Sequence, residues 1–311
     1  MRRTLVIWNP VSGRAEAAIE VREWLSARRD TTVLVTVSRK DAELFAQRGT
    51  REGYDLIVAA GGDGTVNAVA NGLAKCGEEL GVVASMGILP IGTANDFAFT
   101  LGLPDDLGLA AQLLYSAEPR PIDLIEIETP SERRCFANVA AGGNSNRVTE
   151  SLTDEIKQTW GPLAYLRGAI GVLVDLGSHD VTIHIDEKEH FTARIWNMLV
   201  ANGRTNAGRL PIAPYARPDS GLMEVILIRD GSFVDLAALG ALFALSSYLE
   251  SDQVIYRQAR SFTLTSDPPM KFSIDGEIIE EMPTAFRVKP GAVKMIVGRD
   301  YDFNMSVPLG W

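Results

Sequence analysis

At 311 residues, 46% hydrophobic and 23% charged, the chain is long for one core and comfortable for two, and its composition excludes disordered, collagenous and low-complexity classes. A net charge of −10 argues against a general nucleic-acid binder, which carries a basic excess, and supplies no broad attraction to anionic membranes. The 2 cysteines, Cys76 and Cys135, form neither a disulfide framework nor a zinc pattern, a usage that fits a reducing cytoplasm.

The apolar run Leu5 to Trp8 is too short for a signal peptide, and the longest apolar run, Leu236 to Leu245, falls well short of a membrane span. A soluble protein is expected. Thr4 to Trp8 predicts a first strand, Arg14 to Arg28 a helix with Ala15, Ala18, Ile19 and Leu25 on one face, and Thr31 to Val37 a second strand. In the turn Asn9-Pro10-Val11-Ser12-Gly13, Ser12 is a candidate helix N-cap as well as a candidate ligand contact. Asp41 to Arg48 predicts a second helix, and Asp55 to Ala60 a strand that feeds Gly61-Gly62-Asp63-Gly64-Thr65.

Glycines without a Cβ let a backbone take positive φ and come close to a ligand, so this turn has the makings of a phosphate cradle. Val66, Val69, Ala70 and Leu73 follow at helical spacing, which places the turn at a helix N-terminus, where free N–H groups and the dipole favour an anion. Two common nucleotide motifs are excluded. Asn67 stands where the dinucleotide fingerprint needs its third glycine, and no Gly-Lys pair exists to form a P-loop. A carboxylate inside a phosphate cradle repels its ligand unless a divalent cation lies between them, so Asp63 points to a nucleotide with Mg²⁺.

Gly87 to Ile91 is a further predicted strand, and it runs into Gly92-Thr93-Ala94-Asn95-Asp96-Phe97. Repeated βα units make a parallel sheet whose strands end along one edge, the edge where such sheets bind ligands. The Asn9 to Gly13 turn, Thr36, the glycine turn and Thr93 to Asp96 should therefore converge. Beyond Ile122 the pattern turns β-rich. Strands are expected at Asp123 to Glu128, Cys135 to Ala140, Val181 to Asp186, His190 to Val200, Leu222 to Arg229, Phe262 to Thr265, Lys271 to Ile274, Thr284 to Val288 and Val293 to Val297. Helical stretches are expected within Thr153 to Leu176 and from Phe233 to Leu249, the latter a core helix because it lacks a basic polar face. His179, His184 and His190 lack metal spacing and read as surface or hairpin residues.

With these corners in place, the sequence resembles the bacterial diacylglycerol kinase catalytic family, most closely its YegS-like lipid kinases. The resemblance rests on Asn9 to Gly13, Gly61 to Asn67, Gly87 to Ala98, Ile122-Asp123, Ala141-Gly142-Gly143, Ala201-Asn202-Gly203-Arg204 and Asp275-Gly276-Glu277, in that order. It implies an N-terminal α/β domain with a parallel sheet, of the NAD kinase and diacylglycerol kinase type, at residues 1–122. A β-rich, sandwich-type acceptor domain at 123–297 should follow, with 298–311 returning to the first. It further implies transfer of the γ-phosphoryl of ATP, with Mg²⁺, to a lipid hydroxyl.

By matching position, Asn9, Ser12, Thr36, Gly61, Gly62, Asp63, Gly64, Thr65, Asn67, Thr93 and Asn95 would form the nucleotide site, and Asp63 would join the nucleotide's Mg²⁺. The general base is expected at Asp275 or Glu277; taken alone, Asp-Gly is an ordinary hairpin turn. One departure concerns a second metal. Relatives have a structural site where an acidic residue directly precedes a glycine, whereas Ser220 precedes Gly221 here, so the resemblance leaves the second site absent, shifted to Asp219, or weak. The remaining expectations are transient contact with a lipid surface, a cytoplasmic location peripheral to the inner membrane, and arginines such as Arg147, Arg167 and Arg204 near the headgroup entrance. A small-molecule kinase such as one acting on NAD, or a silent nucleotide-binding regulator, is the alternative.

Overall fold

Apolar strands that alternate with helices must bury both faces of their sheet, and the first lobe is built on that requirement. The computed structural model describes residues 2–81, 84–144, 177–244, 247–275 and 277–301. β1 (Thr4–Trp8), β2 (Thr31–Val35), β3 (Leu56–Gly61) and β4 (Ser85–Pro90) run parallel in the order β4-β3-β1-β2. α1 (Ile19–Ser26), α2 (Asp41–Arg51), α3 (Asp63–Leu80), α4 (Asp96–Thr100) and α5 (Leu107–Ser116) connect and cover them.

Alternate residues of each strand face opposite layers. Leu5, Ile7, Ile57 and Ala59 pack with Ala46 of α2 and Val69 and Leu73 of α3, while Val6, Trp8, Val58 and Ala60 pack with Leu25 of α1 and Ala110 and Leu114 of α5. Each fully buried Leu or Ile contributes roughly 1.5–3 kcal/mol.

The helix expected from Arg14 begins at Ile19. Residues 14–18 form turns held by Arg14 N on the Ile91 carbonyl at 2.8 Å, and the helix follows Ala18, which offers no side-chain cap. Ser12 is thus not the cap. α5 had not been expected; its signal was Asp106, whose Oδ1 accepts Leu109 N at 2.8 Å.

β5 (Arg120–Glu128) leads out of the first lobe and pairs antiparallel with β15 (Ala285–Met295), which touches β4 in parallel at Met295 and Met86. One hydrogen-bonded sheet therefore runs through both lobes. β15 replaces two expected strands, its register shifting between Lys289 and Val293 where Gly291 takes φ +59°. The single strand expected at Cys135 to Ala140 is instead β6 (Arg133–Phe136) and β7 (Val139–Gly143), separated at Ala137 and Asn138.

β8 (His179–Ile185) and β9 (Glu189–Ala201) form the expected hairpin, with Asp186 and Glu187 at φ 48° and 58° in its turn. His184 and His190 are exposed cross-strand partners on it. β10 (Met223–Arg229), β11 (Val254–Ala259), β12 (Ser261–Asp267), β13 (Phe272–Ile274) and β14 (Glu277–Ile279) complete the second lobe, β11 and β14 having escaped the sequence pattern. The lobe is a β-sandwich around Ile125, Phe136, Ile183, Met198, Val225, Phe262, Phe272 and Phe286, with Phe262 and Phe286 stacked at 4.5 Å. α6 (Phe233–Ala244) and a 3₁₀ turn at Tyr248–Glu250 divide the helix expected over Phe233 to Leu249; Leu239 and Tyr248 pack on Val139, Ala201 and Ile226.

Near the C-terminus, Gly298 N donates to Leu101 O at 2.8 Å, and Tyr301 lies against Gly102. The helical stretches expected within Thr153 to Leu176, Arg147 and Arg167, Gly276 and residues 302–311 lie outside the described residues.

Candidate active site

The corners after β1, β2, β3 and β4 are tied together by backbone hydrogen bonds, because strands ending at one edge leave their terminal amides to be satisfied there. Asn9 N donates to Ala60 O at 2.9 Å and Thr36 N to Trp8 O at 2.9 Å. Asn9 spans two corners: its Nδ2 donates to Thr65 Oγ1 at 3.0 Å and its Oδ1 accepts Val11 N at 3.2 Å. Asn95, in the left-handed region at φ 54°, accepts Gly92 N at 2.9 Å and donates to the carbonyls of Pro90 and Gly92 at 3.2 and 2.9 Å. Thr36 is buried, with its hydroxyl 3.4 Å from Trp8 O. Asn67 Oδ1 accepts Asn71 Nδ2 at 3.0 Å, and Asn71 in turn bonds Cys135 N and O at 2.8 and 2.7 Å, fixing α3 to β6.

Several of the residues expected to touch nucleotide therefore shape the edge with their side chains. Ser12, half-buried, and Thr93, exposed, stand beside the glycine backbone that fronts it. The approach of the two glycine corners is close. A Cβ on Gly92 would sit 2.3 Å from Gly62 Cα, and one on Gly13 would sit 2.5 Å from Thr93 Oγ1. Gly62 O caps α3 by accepting Thr65 N and Val66 N at 2.9 and 3.0 Å, so the helix presents its N-terminal amides and positive dipole end at this edge.

Asp63 opens α3, and its Oδ1 accepts Phe97 N at 2.9 Å. Burial, with a smaller push from Asp96, holds its carboxyl above the usual range despite that hydrogen bond. Asp275 comes from the other lobe. It follows β13, where Ile274 pairs with Glu277 across a two-residue turn, and it takes φ 45°. Its N donates to Val139 O at 3.0 Å, while its carboxylate accepts Val139 N at 2.9 Å and Ala137 N at 3.3 Å.

The break between β6 and β7 thus serves to grip this carboxylate. Burial pushes Asp275 up to about 7, and the nearby Asp63 charge adds to the rise. The glycine-turn acid of one lobe and the late hairpin acid of the other accordingly lie within electrostatic reach of each other. Glu277 lies in a different setting, with its oxygens 3.2 Å from Arg39 Nη1 and 3.8 Å from Arg134 Nη2.

Two features escaped sequence reasoning. Asp96 clamps the lobes together: its carboxylate accepts Gly208 N at 3.1 Å and Arg209 N at 2.6 Å, while Thr100 Oγ1 accepts Arg204 N at 3.0 Å. The signal for it was an acid inside the Gly92 to Phe97 corner that no local turn required. Arg39 as a partner for Glu277 had no signal, being one exposed arginine among many.

Asp219 and Asp123 lie together where β5, the 217–222 turn and β15 meet. Asp219 accepts Tyr301 Oη at 2.9 Å and Arg217 Nε at 3.3 Å; Asp123 accepts Gly221 N and Gly291 N, both at 2.7 Å. Burial raises Asp123, and the Asp219 charge adds to the rise. Arg204 is half-buried and bonds Ala216 O at 3.1 Å.

A helix N-terminus fronted by glycines that leave no room for a Cβ, beside two acids of like charge, fits a phosphate chain carrying a divalent cation. Among the described residues no group of three or more His, Cys, Asp or Glu side chains could hold a metal ion.

The family model of the diacylglycerol kinase catalytic domain matches residues 3–127, and that of the YegS C-terminal NAD kinase beta sandwich-like domain matches residues 137–297. A diacylglycerol kinase of Staphylococcus carnosus is 29% identical over 289 residues, covering 92% of each chain. The crystal structure of a Bacillus anthracis protein described as a candidate diacylglycerol kinase superposes with a TM-score of 0.80 at 24% identity, covering 97% of each chain. The fold extends to an NAD kinase of Archaeoglobus fulgidus in complex with ATP, with a TM-score of 0.51 at 12% identity over 97% of this chain and 96% of that one. A parallel α/β lobe with a glycine cradle, a β-sandwich lobe, and both family models in sequence order lead to one conclusion: the chain belongs to the bacterial diacylglycerol kinase catalytic family of YegS-like lipid kinases, kinase-fold phosphotransferases that share their architecture with NAD kinases.

Proposed function

We propose that the protein is an ATP-dependent lipid kinase that transfers the γ-phosphoryl of ATP to a lipid hydroxyl, of the diacylglycerol or phosphatidylglycerol kind. The reading rests on a hairpin acid, Asp275, gripped by the Ala137 and Val139 amides, within reach of the Asp63 charge and pushed up to about 7. A base poised near neutral pH is the group that an unactivated alcohol needs. In this reading Asp275 takes the hydroxyl proton as the lipid oxygen bonds to the γ-phosphorus and the bond to the β-phosphate oxygen breaks. Gly62, Gly64 and the α3 N-terminus hold the phosphates; Ser12 and Thr93 flank them. Asn9, Thr65 and Asn95 keep the corners in place.

Bound Mg²⁺ would neutralise charge on the transferring group, with Asp63 as the protein's share of its coordination. Glu277, engaged by Arg39 and Arg134, positions the turn that carries Asp275, and Asp275 is the base. Residues 1–122 form the nucleotide lobe and 123–297 the acceptor lobe. The two cores separate within β5, with Leu124 in the first and Ile125 in the second, and Cys135, Ala137, Val293, Met295 and Val297 pack back on the first.

Lipid would be met transiently at a membrane surface from the cytoplasmic side. Among the described residues no helix is long and apolar enough to cross a bilayer. The resemblance to a relative named as a diacylglycerol kinase supports a lipid acceptor over NAD. Transfer of labelled γ-phosphate to a panel of hydroxylated lipids, with NAD as a parallel acceptor, tests this. Label in one or more lipids and none in NAD is expected. Label in NAD alone, or none in any acceptor while ATP still binds, would contradict it.

A further inference from the structure

A hard divalent cation in a protein cage takes six or more oxygens, usually with carboxylates among them, and a guanidinium paired with those carboxylates competes for the same charge. The joint between the lobes holds such a pair. Asp219 is already paired with Arg217, Nε to Oδ1 at 3.3 Å and Nη2 to Oδ2 at 3.4 Å, and accepts Tyr301 Oη at 2.9 Å. Both oxygens of Asp123 receive backbone amides at 2.7 Å. Arg217 O accepts Ser220 N at 3.1 Å and Ser220 Oγ at 2.8 Å. Ser220 Oγ also lies 3.3 Å from Leu222 O and accepts Leu222 N at 3.2 Å. A cation entering here would compete with the Arg217 guanidinium for Asp219 and would find a neutral hydroxyl at Ser220 in place of a carboxylate.

We propose that the inter-lobe joint of this chain is closed by protein groups alone. The Ser220 hydroxyl bridges the turn where relatives place an acidic metal ligand, and the Arg217 guanidinium serves as its fixed positive charge. The second metal expected by resemblance does not fit these residues. The joint matters to the site because Asn202 Nδ2 bonds the carbonyls of Asp123 and Ala137 at 2.9 and 2.8 Å, and Ala137 N in turn donates to Asp275. The geometry of the joint is thereby passed to the Asp275 carboxylate without a cation.

Thermal unfolding of the full chain, free of nucleotide, in EDTA and in millimolar Mg²⁺ tests this independently of activity. The wild-type midpoint is expected to be the same in both. Ser220→Asp restores an acid beside an open cavity of 410 Å³, and its midpoint should fall in EDTA and recover by several degrees in Mg²⁺. Ser220→Ala, which keeps the fold's volume, should lose stability with no response to Mg²⁺. A wild-type midpoint that rises with Mg²⁺, and ceases to do so in Asp219→Asn but not in Asp63→Asn, overturns the proposal. A rise lost only in Asp63→Asn belongs to the nucleotide cleft and leaves the joint cation-free.

Discussion

The cleft and the joint each hold two aspartates, one pair split between the lobes and the other gathered where they are sewn together. At the joint the charges find permanent partners: Arg217 and Tyr301 for Asp219, backbone amides for Asp123. In the cleft, Asp63 and Asp275 receive backbone amides. Burial raises both, as it raises Asp123 at the joint, and Asp275 reaches about 7. The difference teaches what each pair is for. Acids matched by a guanidinium or a phenol hold the fold together, whereas buried acids crowded by one another are held ready for a ligand or a proton.

The largest effect should come from removing the cleft's base. Asp275→Ala is expected to lower phosphoryl transfer by about 10²–10⁴-fold while ATP affinity, measured by calorimetry, stays within a few-fold. If both turnover and affinity survive, the two pairs of aspartates do not differ as described. Glu277→Gln should cost less, because its partners are guanidiniums at the rim. Next is the glycine contact that shapes the cradle: Gly92→Ala forces a Cβ to 2.3 Å from Gly62 Cα and should destabilise by about 1–3 kcal/mol in chemical denaturation, with ATP binding weakened alongside.

Proton linkage sharpens the contrast further. A carboxyl held above its unfolded value makes the neutral acid the form the fold prefers. Stability from Asp275 is therefore fully present below about 3.9 and declines as pH rises to about 7. In Asp275→Asn that decline is absent. The midpoint difference, variant minus wild type, should grow from pH 4 to 7 and then level off, and a flat difference would contradict the raised acid. In catalysis the sign reverses: the base works only when ionised, so kcat/KM for the acceptor, measured with Mg²⁺-nucleotide present, should fall as pH drops below about 7. The smallest effect belongs to Arg39, whose side chain is 89% exposed in its pair with Glu277. Arg39→Ala should change unfolding free energy by less than about 1 kcal/mol, and added salt should erase the change.

Much of the first lobe was legible because its information is local. The apolar runs Thr4 to Trp8 and Leu56 to Gly61 are buried on both faces, and their corners announce themselves with glycine, asparagine and proline. α1 began later than expected because the Arg14 amide is held by Ile91, a residue in another corner. The second lobe was harder to read. Two predicted strands merged into β15, since Pro290 and Gly291 make an irregularity within a strand that β5 still pairs on both sides. Val254 to Ala259 carries Tyr, Arg and Gln on an edge partner of β10 and shows no clean alternation of burial.

The corners that gather at one sheet edge could be named from the sequence, but not which of their side chains the fold itself would use. Asn95 and Thr65 sit in ligand-like motifs, yet their side chains are consumed by the corners. The choice between Asp275 and Glu277 depends on Ala137, Val139, Arg39 and Arg134, all distant in sequence.

The most direct measurement is a carboxyl-carbon NMR titration of Asp275 in the wild-type chain and in Asp63→Asn. The account predicts a midpoint near about 7 that moves down when the Asp63 charge is removed. A midpoint near about 3.9 in both proteins, indifferent to residue 63, would mean that the two acids do not share a cleft.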